Sequence, residues 1–475
     1  MDVILAGYNV DADVLERIRQ GEMVDPDELS PESVPAAYAR ISRDPRPIPE
    51  LRIESRTEVE AARRSNKNII FGMGHKSVGN HANFNFDILG LSRLAVEYLQ
   101  ARRLGVGYTE KSQRYITLQG DYVIPAEFDD EARDHFVHLV ENVQNRFYLD
   151  HVDTLIAHQK ETHPKLAQRA AATTARGVSD MGNRALNMLE GWGKEDARYA
   201  LGLATQAQIG TTMSATALEH AIRNMKYAPL AEVRQLARHL FENTKDIAPS
   251  LILYTDREVF QRSFKGRKLY DGNFQDTPAN VHQAVQETVG TYQADQSETA
   301  HQSETAHHRQ GDVTLVKAND IDTNVMAAII FSASQLDIGR CYSIARQLKN
   351  GSSTEFMKQV LKAVSAFDDP PRPFEFTDGL IFEIVLSSSA YAQLKRHRTL
   401  SLIAQDYDPT LKVTIPQSIV ATGLKDEFLA VCQQSEELFA NIHPQVGKAA
   451  EYCLTNAHRR RALVATNPRQ MCHFA

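Results

Sequence analysis

The residues around position 397 have types and spacing suited to binding an anion. Arg396, His397 and Arg398 follow the helix-like stretch SSAYAQL, and Ser401 stands three residues further on. Guanidinium groups donate paired, charge-assisted hydrogen bonds to phosphate, each worth about 1.5–3 kcal/mol when well formed. Cations at the end of a helix are also favoured by the helix dipole and have room to reach a ligand. The cluster therefore predicts a ligand site at a helix end.

The first half of the chain repeats this local order. The stretch FNFDILGLSRLAVEYLQARR begins with the apolar spacing of a buried strand, or of the start of a buried helix, continues with helical spacing and ends in Arg102 and Arg103. The stretch LIFEIVLSSSAYAQLKRHR does the same in the second half. In both halves the basic cluster falls near the end of a helix. This pattern predicts an α/β chain.

Two copies of one domain would explain the shared order, because the matching segments lie roughly 280 to 300 residues apart. Since any α/β chain repeats strand and helix patterns, the repeat gains weight only from motifs that carry chemistry. We place the domains at residues 1–248 and 249–475. The low-complexity segment 293–312, in which QSETAH occurs twice, has too little apolar content for a core and predicts an exposed loop. Its histidines could bind a metal, but such a repeat favours a solvated loop.

Composition narrows the class of protein. The chain has 475 residues, of which 42% are hydrophobic and 24% charged, and its net charge is -7. These values are typical of a soluble globular protein, and the lack of a basic excess argues against nucleic acid as the main partner. The four cysteines have no CxxC spacing, so we expect no metal site and no disulfide framework. No segment reaches about 18 consecutive apolar residues, so we expect no membrane partner and a cytoplasmic location.

The ordered motifs resemble the flavin-dependent thymidylate synthase family. Members show a His-x-Ser/Thr segment, an apolar stretch, the tripeptide RHR and then E-x-S-x-R-Y. Residues 71–115 follow this order, and the second half repeats part of it through PFEF and YAQLKRHRTLS. The stretches EDARYALGL and ATNPRQMCHFA are similar to the family's A-R-x-x-L-P and N-A-R-x-L-x-H-F blocks. RHR alone carries little weight, but the ordered set covers most of the chain twice.

The resemblance implies a fold of class α/β (α+β), with two tandem domains similar to the flavin-dependent synthase, each a mixed sheet flanked by helices. In this family FAD is the cofactor, methylenetetrahydrofolate supplies the carbon and NADPH reduces the flavin. The C-terminal domain keeps RHR and would supply the FAD half-site. The implied cofactor-binding residues are His75, Ser77, Glu375, Arg396, His397, Arg398, Asn467, Arg469 and His473.

The N-terminal domain lacks the histidine of RHR but keeps E-x-S-x-R, and would supply the half-site for the phosphate of a pyrimidine nucleotide monophosphate. No residue is assigned to catalysis. Other interpretations stay open, namely solvated cations at helix ends, histidines satisfied in a core, a turn residue at Ser112, and a surface ion pair between Glu110 and Arg114. The implied substrate-binding residues are Glu110, Ser112, Gln113, Arg114, Arg198, Gln393 and Arg396.

The two halves have lost different parts of the motif set. The first half has Ser214 and Thr216 where the family has Asn and Arg, and Asn80 where it has Glu. The second half has no E-x-S-x-R after RHR, and has Glu451 at the position that corresponds to Arg198. Each half therefore predicts one half-site, so we expect about one nucleotide and one FAD per chain.

One departure separates three functional interpretations. The family's late arginine, which is thought to polarise the pyrimidine, aligns near Met225, with Arg223 and Lys226 as possible substitutes. The first interpretation is an enzyme that methylates dUMP or a related nucleotide. The second is a homologue of reduced activity that binds flavin or nucleotide in sensing or assembly, and the third is a structural scaffold. Because family members are tetramers, the resemblance also implies that a duplicated chain forms a homodimer, a pseudo-tetramer.

Overall fold

The computed structural model describes two compact units of this protein. Unit 1 consists of Met1–Ala300 and Pro416–Thr455, and unit 2 of His301–Ile415 and Asn456–Ala475. The predicted domain boundary after residue 248 stays a prediction. The described residues are 1–101, 105–114, 118, 120–171, 173–174, 177–178, 180–253, 285, 312–318, 320–334, 336–349, 351–362, 372–377 and 379–472.

Both units combine helices with strands. The strands are β1 (Asp2–Tyr8), β2 (Asn83–Ser92), β3 (Val106–Glu110), β4 (Thr173–Thr174), β5 (Gly177–Val178), β6 (Gln206–Ser214), β7 (Val313–Ala318), β8 (Leu380–Ser387), β9 (Ser401–Ala404) and β10 (Arg459–Thr466). The α-helices are α1 (Ala12–Arg19), α2 (Ser33–Arg40), α3 (Ile48–Thr57), α4 (Val59–Asn66), α5 (Arg93–Leu99), α6 (Asp130–His138), α7 (Asn145–Thr162), α8 (Pro164–Ala170), α9 (Asp180–Ala197), α10 (Ala215–Met225), α11 (Ala231–Glu242), α12 (Ile321–Ser332), α13 (Ile338–Lys349), α14 (Ser353–Lys362), α15 (Ser388–Leu394), α16 (Gln417–Ala421), α17 (Lys425–Val446) and α18 (Pro468–Met471). Shorter 3-10 or π-helical segments are Pro26–Leu29, Lys67–Gly72, Lys76–His81, Leu139–Gln144, Arg198–Ala200, Arg372–Glu375, Pro409–Leu411 and Gly447–Cys453.

The main sheets of the two units share one topology. The strand order is β1-β2-β6-β3 in unit 1 and β7-β8-β10-β9 in unit 2. In each sheet the first strand pairs with the second, and the fourth strand in sequence lies between the second and the third. The predicted class, α/β (α+β) with two tandem domains that each combine a sheet with helices, is confirmed. Within that class every described strand pair is antiparallel, not mixed in direction.

A short polar side chain caps each helix that follows a central strand. Ser92, at the end of β2, accepts the backbone N–H three residues later at 3.0 Å, and Ser387, at the end of β8, does so at 3.2 Å. Ser214 caps α10 at 3.3 Å, and Asn467 caps α18 at 3.0 Å. Such oxygens satisfy N–H groups that have no partner within the helix. The caps therefore fix where the strand stops and the helix begins.

Alternating apolar residues of the central strands form the cores. Phe84, Phe86 and Ile88 on β2 are at most 1% exposed, and their neighbours in the strand are more exposed. This alternation is what a period of two requires when one face of a sheet is buried. In unit 2 the matching cluster is Leu386, Leu394, Leu400, Ala462 and Val464.

The segment from residue 416 to residue 455 packs within unit 1. Phe428 of α17 meets Phe147 of α7 with ring centroids 5.7 Å apart. The side-chain nitrogen of Gln144 donates to Ser435 Oγ at 2.9 Å and to the carbonyl of Cys453 at 2.8 Å. Although α17 has 22 residues, no helix among those described combines the length and the apolar character needed to span a membrane.

Candidate functional site

The predicted phosphate-binding loop of unit 1 begins where β3 ends. Glu110 is the last residue of β3, and Ser112 to Arg114 form the turn that follows. The backbone N–H of Arg114 donates to Ser112 Oγ at 3.2 Å, so Ser112 also shapes the turn. Ser112 is half-buried. The turn interpretation and the phosphate interpretation of Ser112 are thus compatible, because a hydroxyl oxygen that accepts can still donate.

Two predicted substrate-binding arginines meet at one carboxylate. Arg114 Nη1 lies 3.7 Å from Glu195 Oε2, and Arg198 Nη2 donates to Glu195 Oε1 at 3.3 Å. Burial lowers the pKa of Arg198 to about 10, and the nearby charge of Arg93 acts in the same direction. Burial disfavours the charged form of the guanidinium group, whereas a nearby negative charge, such as that of Glu195 or of a bound anion, favours it.

Glu110 is neutralised by a residue that the sequence did not single out. Arg93 Nη1 donates to Glu110 Oε1 at 2.5 Å, and the two side chains are 4% and 7% exposed. The ion pair of Glu110 is therefore with Arg93, not the surface pair with Arg114 that was one interpretation of the sequence. A clue to Arg93 was its place directly after the capping Ser92, at the start of the helix that leads to the basic cluster. No feature of the sequence distinguished Glu195 from the other charged residues around it.

Gln113 adds a buried donor to the same loop. Its side chain is 5% exposed, and its Nε2 atom has no hydrogen-bond partner among the described residues. Buried polar atoms are normally paired, so a nitrogen of this kind between Ser112 and Arg114 is suited to an acceptor on a ligand. Glu110, Ser112, Gln113, Arg114 and Arg198 thus form one region of unit 1.

In unit 2 the RHR cluster lies directly after α15, as predicted. Arg396 and Arg398 are exposed, whereas Gln393 and His397 are half-buried. The backbone N–H of Arg396 donates to the carbonyl of Gln393 at 3.0 Å, and that of His397 to the carbonyl of Leu394 at 3.1 Å. The cluster is therefore part of an ordered turn, with two guanidinium groups accessible from solvent.

The other predicted cofactor residues of unit 2 lie beside that turn. Arg469 of α18 forms an ion pair with Glu375, while the Asn467 side chain caps α18. The side chain of Gln470 donates to the carbonyl of Thr399 at 2.8 Å, which joins α18 to the end of the RHR segment. The structure thus brings Glu375, Asn467 and Arg469 to the region of Arg398. His473 lies outside the described residues.

In the described part of the chain, no cluster of three or more histidine, cysteine, aspartate or glutamate side chains could hold a metal ion.

The chain matches the sequence pattern of one known protein family over two segments. The model of the family described as "Thymidylate synthase complementing protein" matches residues 26–250 and 314–475, which together make up most of the chain. The chain belongs to this family. The first matched segment contains strands β2, β3 and β6 of the sheet in unit 1, and the second contains strands β8, β9 and β10 of the sheet in unit 2.

Relatives of two lengths are similar to the chain. A flavin-dependent thymidylate synthase from Clostridium tetani is 28% identical over 232 residues, which is 48% of this chain and 82% of the relative. A UPF0159 protein from Thermoplasma acidophilum is 20% identical over 440 residues, which is 86% of this chain and 80% of the relative. The crystal structure of the UMP/dUMP methylase PolB from Streptomyces cacaoi, bound with 5-Br dUMP, has a TM-score of 0.35 at 14% identity and covers 55% of this chain and 94% of that one.

At the positions where the family has Glu, Asn and Arg, unit 1 has short uncharged side chains that form hydrogen bonds. Ser214 Oγ donates to Asn80 Oδ1 at 3.0 Å, and Thr216 Oγ1 donates to the carbonyl of Lys76 at 2.7 Å. A Cβ added at Gly79 would lie 2.7 Å from Thr216 Oγ1, so the two segments are closely packed. His75 and Ser77 are exposed on this part of unit 1. His75 and Ser77 thus lie in unit 1, whereas the other predicted cofactor residues that the structure describes lie in unit 2.

The aligned position of the family's late arginine lies in the core. Met225, at the end of α10, is 3% exposed. Arg223 Nε lies 3.8 Å from Glu219 Oε1, and its side chain is 16% exposed. Of the two possible substitutes, Arg223 is therefore engaged with a buried carboxylate, whereas Lys226 is exposed.

Proposed function

We propose that this protein is a cytoplasmic flavin-dependent methyltransferase that reductively methylates dUMP or a related pyrimidine nucleotide. The observation that carries the proposal is the convergence of Arg114 and Arg198 on Glu195, beside the buried donor of Gln113, in a chain of this family. The similarity to a flavin-dependent thymidylate synthase over most of that relative's length supports it. The four free cysteines are consistent with a reducing compartment.

In this proposal unit 1 holds the nucleotide phosphate. Arg114 and Arg198 neutralise its charge, and Ser112 and Gln113 donate hydrogen bonds to its oxygens. Glu195 keeps the two guanidinium groups together before the phosphate arrives, which reduces the repulsion between them. Glu110, held by Arg93, can then accept hydrogen bonds from the nucleotide without adding a free negative charge beside the phosphate.

Unit 2 holds the cofactor in this proposal. These residues fit FAD, because the exposed guanidinium groups of Arg396 and Arg398 suit its diphosphate. Glu375 can accept hydrogen bonds from polar groups of FAD, and Arg469 can donate to them. Gln393 and Arg396 are proposed to contact the nucleotide as well. When bound, FAD supplies the hydride after reduction by NADPH, and methylenetetrahydrofolate supplies the carbon. The protein contributes binding, orientation and electrostatics.

A second function is a flavin- and nucleotide-binding protein of reduced activity, with a role in sensing or assembly. The burial of Met225 favours it, because the cation that the family uses near the pyrimidine has no exposed counterpart at that position.

Spectroscopy followed by a turnover assay tests the proposal. The absorbance of the purified protein is measured near the flavin bands, with and without prior incubation with FAD. The FAD-loaded protein is then incubated with dUMP, methylenetetrahydrofolate and NADPH, and the nucleotide is analysed by mass spectrometry. Bound flavin with a methylated nucleotide is the expected result. Bound flavin without product would favour the second function, and no flavin and no nucleotide binding would contradict both.

Assembly is part of the same proposal. If each chain supplies one nucleotide half-site and one FAD half-site, a homodimer would carry two of each. Sedimentation of the FAD-loaded protein should therefore give twice the chain mass. A monomer with FAD fully bound would contradict the pseudo-tetramer.

A further inference from the structure

Unit 2 contains a second candidate site, a cavity of about 400 Å³. It lies among α12, α14, the segment Arg372–Glu375 and the start of α18. A volume of this size lies within the range typical of small-molecule sites. Its lining residues are Ile321, Asp322, Val325, Met326, Ser353, Thr354, Met357, Lys358, Phe374 and Pro468.

The deeper wall of this cavity is apolar and adaptable. Val325, Met326 and Phe374 are 4%, 1% and 4% exposed, and Met357 is half-buried. Methionine sulfur makes favourable contacts with aromatic rings, and its unbranched side chain adjusts to their shape. Phe374 offers a further ring for stacking or edge contacts. This wall is therefore suited to a planar aromatic group.

The rim of the cavity carries polar and charged groups. Thr354 and Lys358 stand four residues apart on α14, as do Ser353 and Met357, so each pair shares a face of that helix. Lys358 is exposed and supplies a positive charge, and the two hydroxyl groups can donate hydrogen bonds. Asp322 on α12 is also exposed and stands on the same rim. An anionic group would pair with Lys358, and a ring N–H or hydroxyl could reach Asp322.

We propose that this cavity binds a planar aromatic acid, with its ring against Met326, Met357 and Phe374 and its carboxylate at Lys358. The site is separate from the proposed cofactor residues. Phe374 and Pro468 line the cavity, but the next residues in the chain, Glu375 and Arg469, pair with each other and are not part of its lining.

Methyl NMR of methionine tests the proposal directly. The full-length protein is labelled with 13C at its methionine methyl groups and titrated with naphthalene-2-carboxylate. Ring-current shifts that saturate are expected for the methyl groups of Met326 and Met357, assigned by Met→Leu variants. Met23, which is 94% exposed, serves as the internal control and should not shift. Absent shifts at Met326 and Met357, or shifts that grow linearly at all three residues, would overturn the site.

A charge reversal tests the proposed orientation of the acid. Lys358→Glu should weaken binding of naphthalene-2-carboxylate by about fivefold or more, since a rim ion pair becomes a repulsion. The matched control is Lys349→Glu, because Lys349 pairs with Asp320 and does not line the cavity. Equal effects of the two variants would contradict the role of Lys358.

Repeating the titration at saturating FAD separates this inference from the proposed function. An unchanged half-saturation concentration supports a site distinct from that of the cofactor, whereas competition would overturn the separation. If the protein binds no FAD, the proposed function fails, but the methionine shifts still decide whether the cavity binds the aromatic acid.

Discussion

Arg469 forms an ion pair with Glu375, a residue 94 positions earlier in the chain. The contact joins α18, which follows the central strand β10, to the segment that precedes β8. In unit 1 the corresponding segments meet through the neutral hydrogen bond between Ser214 and Asn80. The same pair of segments is therefore held by charged groups in one unit and by short neutral groups in the other. This difference supports the proposal that unit 2 holds FAD.

Replacing Arg114 tests the phosphate assignment. Arg114→Ala should weaken binding of dUMP by about 2 to 4 kcal/mol, because it removes a charge-assisted contact and leaves the phosphate underpaired. FAD should stay bound. Calorimetric titration of the FAD-loaded protein measures the affinity and the stoichiometry, expected to be about one nucleotide per chain. Arg146→Ala, which removes an exposed arginine of α7 that pairs with Asp150, is the control and should leave both values unchanged.

A double substitution tests where FAD binds. His397→Ala combined with Arg398→Ala should release FAD, because it removes two of the three residues of the cluster after α15. The matched variant, Arg102→Ala combined with Arg103→Ala, changes the aligned residues of the first half and should keep FAD. Flavin absorbance after gel filtration compares the two proteins. Equal loss of flavin from both would contradict the division of roles between the units.

A buried carboxyl group predicts a pH dependence of stability. Glu232 accepts hydrogen bonds from the backbone and hydroxyl of Ser92 at 2.7 and 2.6 Å and from Tyr452 Oη at 2.6 Å. Burial raises the pKa of the Glu232 carboxyl, although these hydrogen bonds act in the opposite direction. Above the ordinary glutamate pKa of about 4.3, the unfolded chain loses this proton before the folded protein does. The contribution of Glu232 to stability should therefore fall as pH rises, until the raised pKa is passed.

Urea unfolding between about pH 4 and pH 8 measures this effect. Glu232→Gln cannot ionise, so its free energy of unfolding should fall less with rising pH than that of the parent protein, whatever the offset between the two curves. The matched control is Glu131→Gln, a change at an exposed position of α6. Parallel curves for the parent protein and Glu232→Gln would show that Glu232 does not titrate in this range.

The contacts of Arg460 with two tyrosine side chains are expected to stabilise unit 2. The guanidinium carbon of Arg460 lies 4.0 Å from the ring centroid of Tyr391 and 4.1 Å from that of Tyr407, and Nη2 donates to Tyr407 Oη at 2.7 Å. Tyr407→Phe keeps the ring but removes the acceptor from a buried cation, so the free energy of unfolding should fall by about 1 to 3 kcal/mol.

Tyr342→Phe is the control for this prediction. The guanidinium carbon of Arg346 lies farther from the Tyr342 ring centroid, at 5.8 Å, and Tyr342 is half-buried. This change should cost less than Tyr407→Phe in chemical unfolding monitored by circular dichroism. Because Tyr391 is on α15, Tyr407→Phe should also weaken FAD retention if the stack holds the helix that precedes the RHR cluster.

The amino-acid sequence by itself determined the local order of each site. An apolar stretch, helical spacing and a basic cluster predicted the path from the apolar stretch LIFEIVLSS through α15 to Arg398, because periodicity acts over a few residues. The sequence also indicated the family, since ordered motifs remain readable without any knowledge of packing.

Only the tertiary structure decided which charges meet. Arg93 pairs with Glu110, and Glu195 joins Arg114 to Arg198, although any of several nearby charged residues would have satisfied the sequence pattern. It also placed Tyr452, a residue of the second half, against Glu232 in unit 1. Such pairings depend on which surfaces are buried together, and burial is set by the packing of distant elements, not by the spacing of residues along one helix or strand.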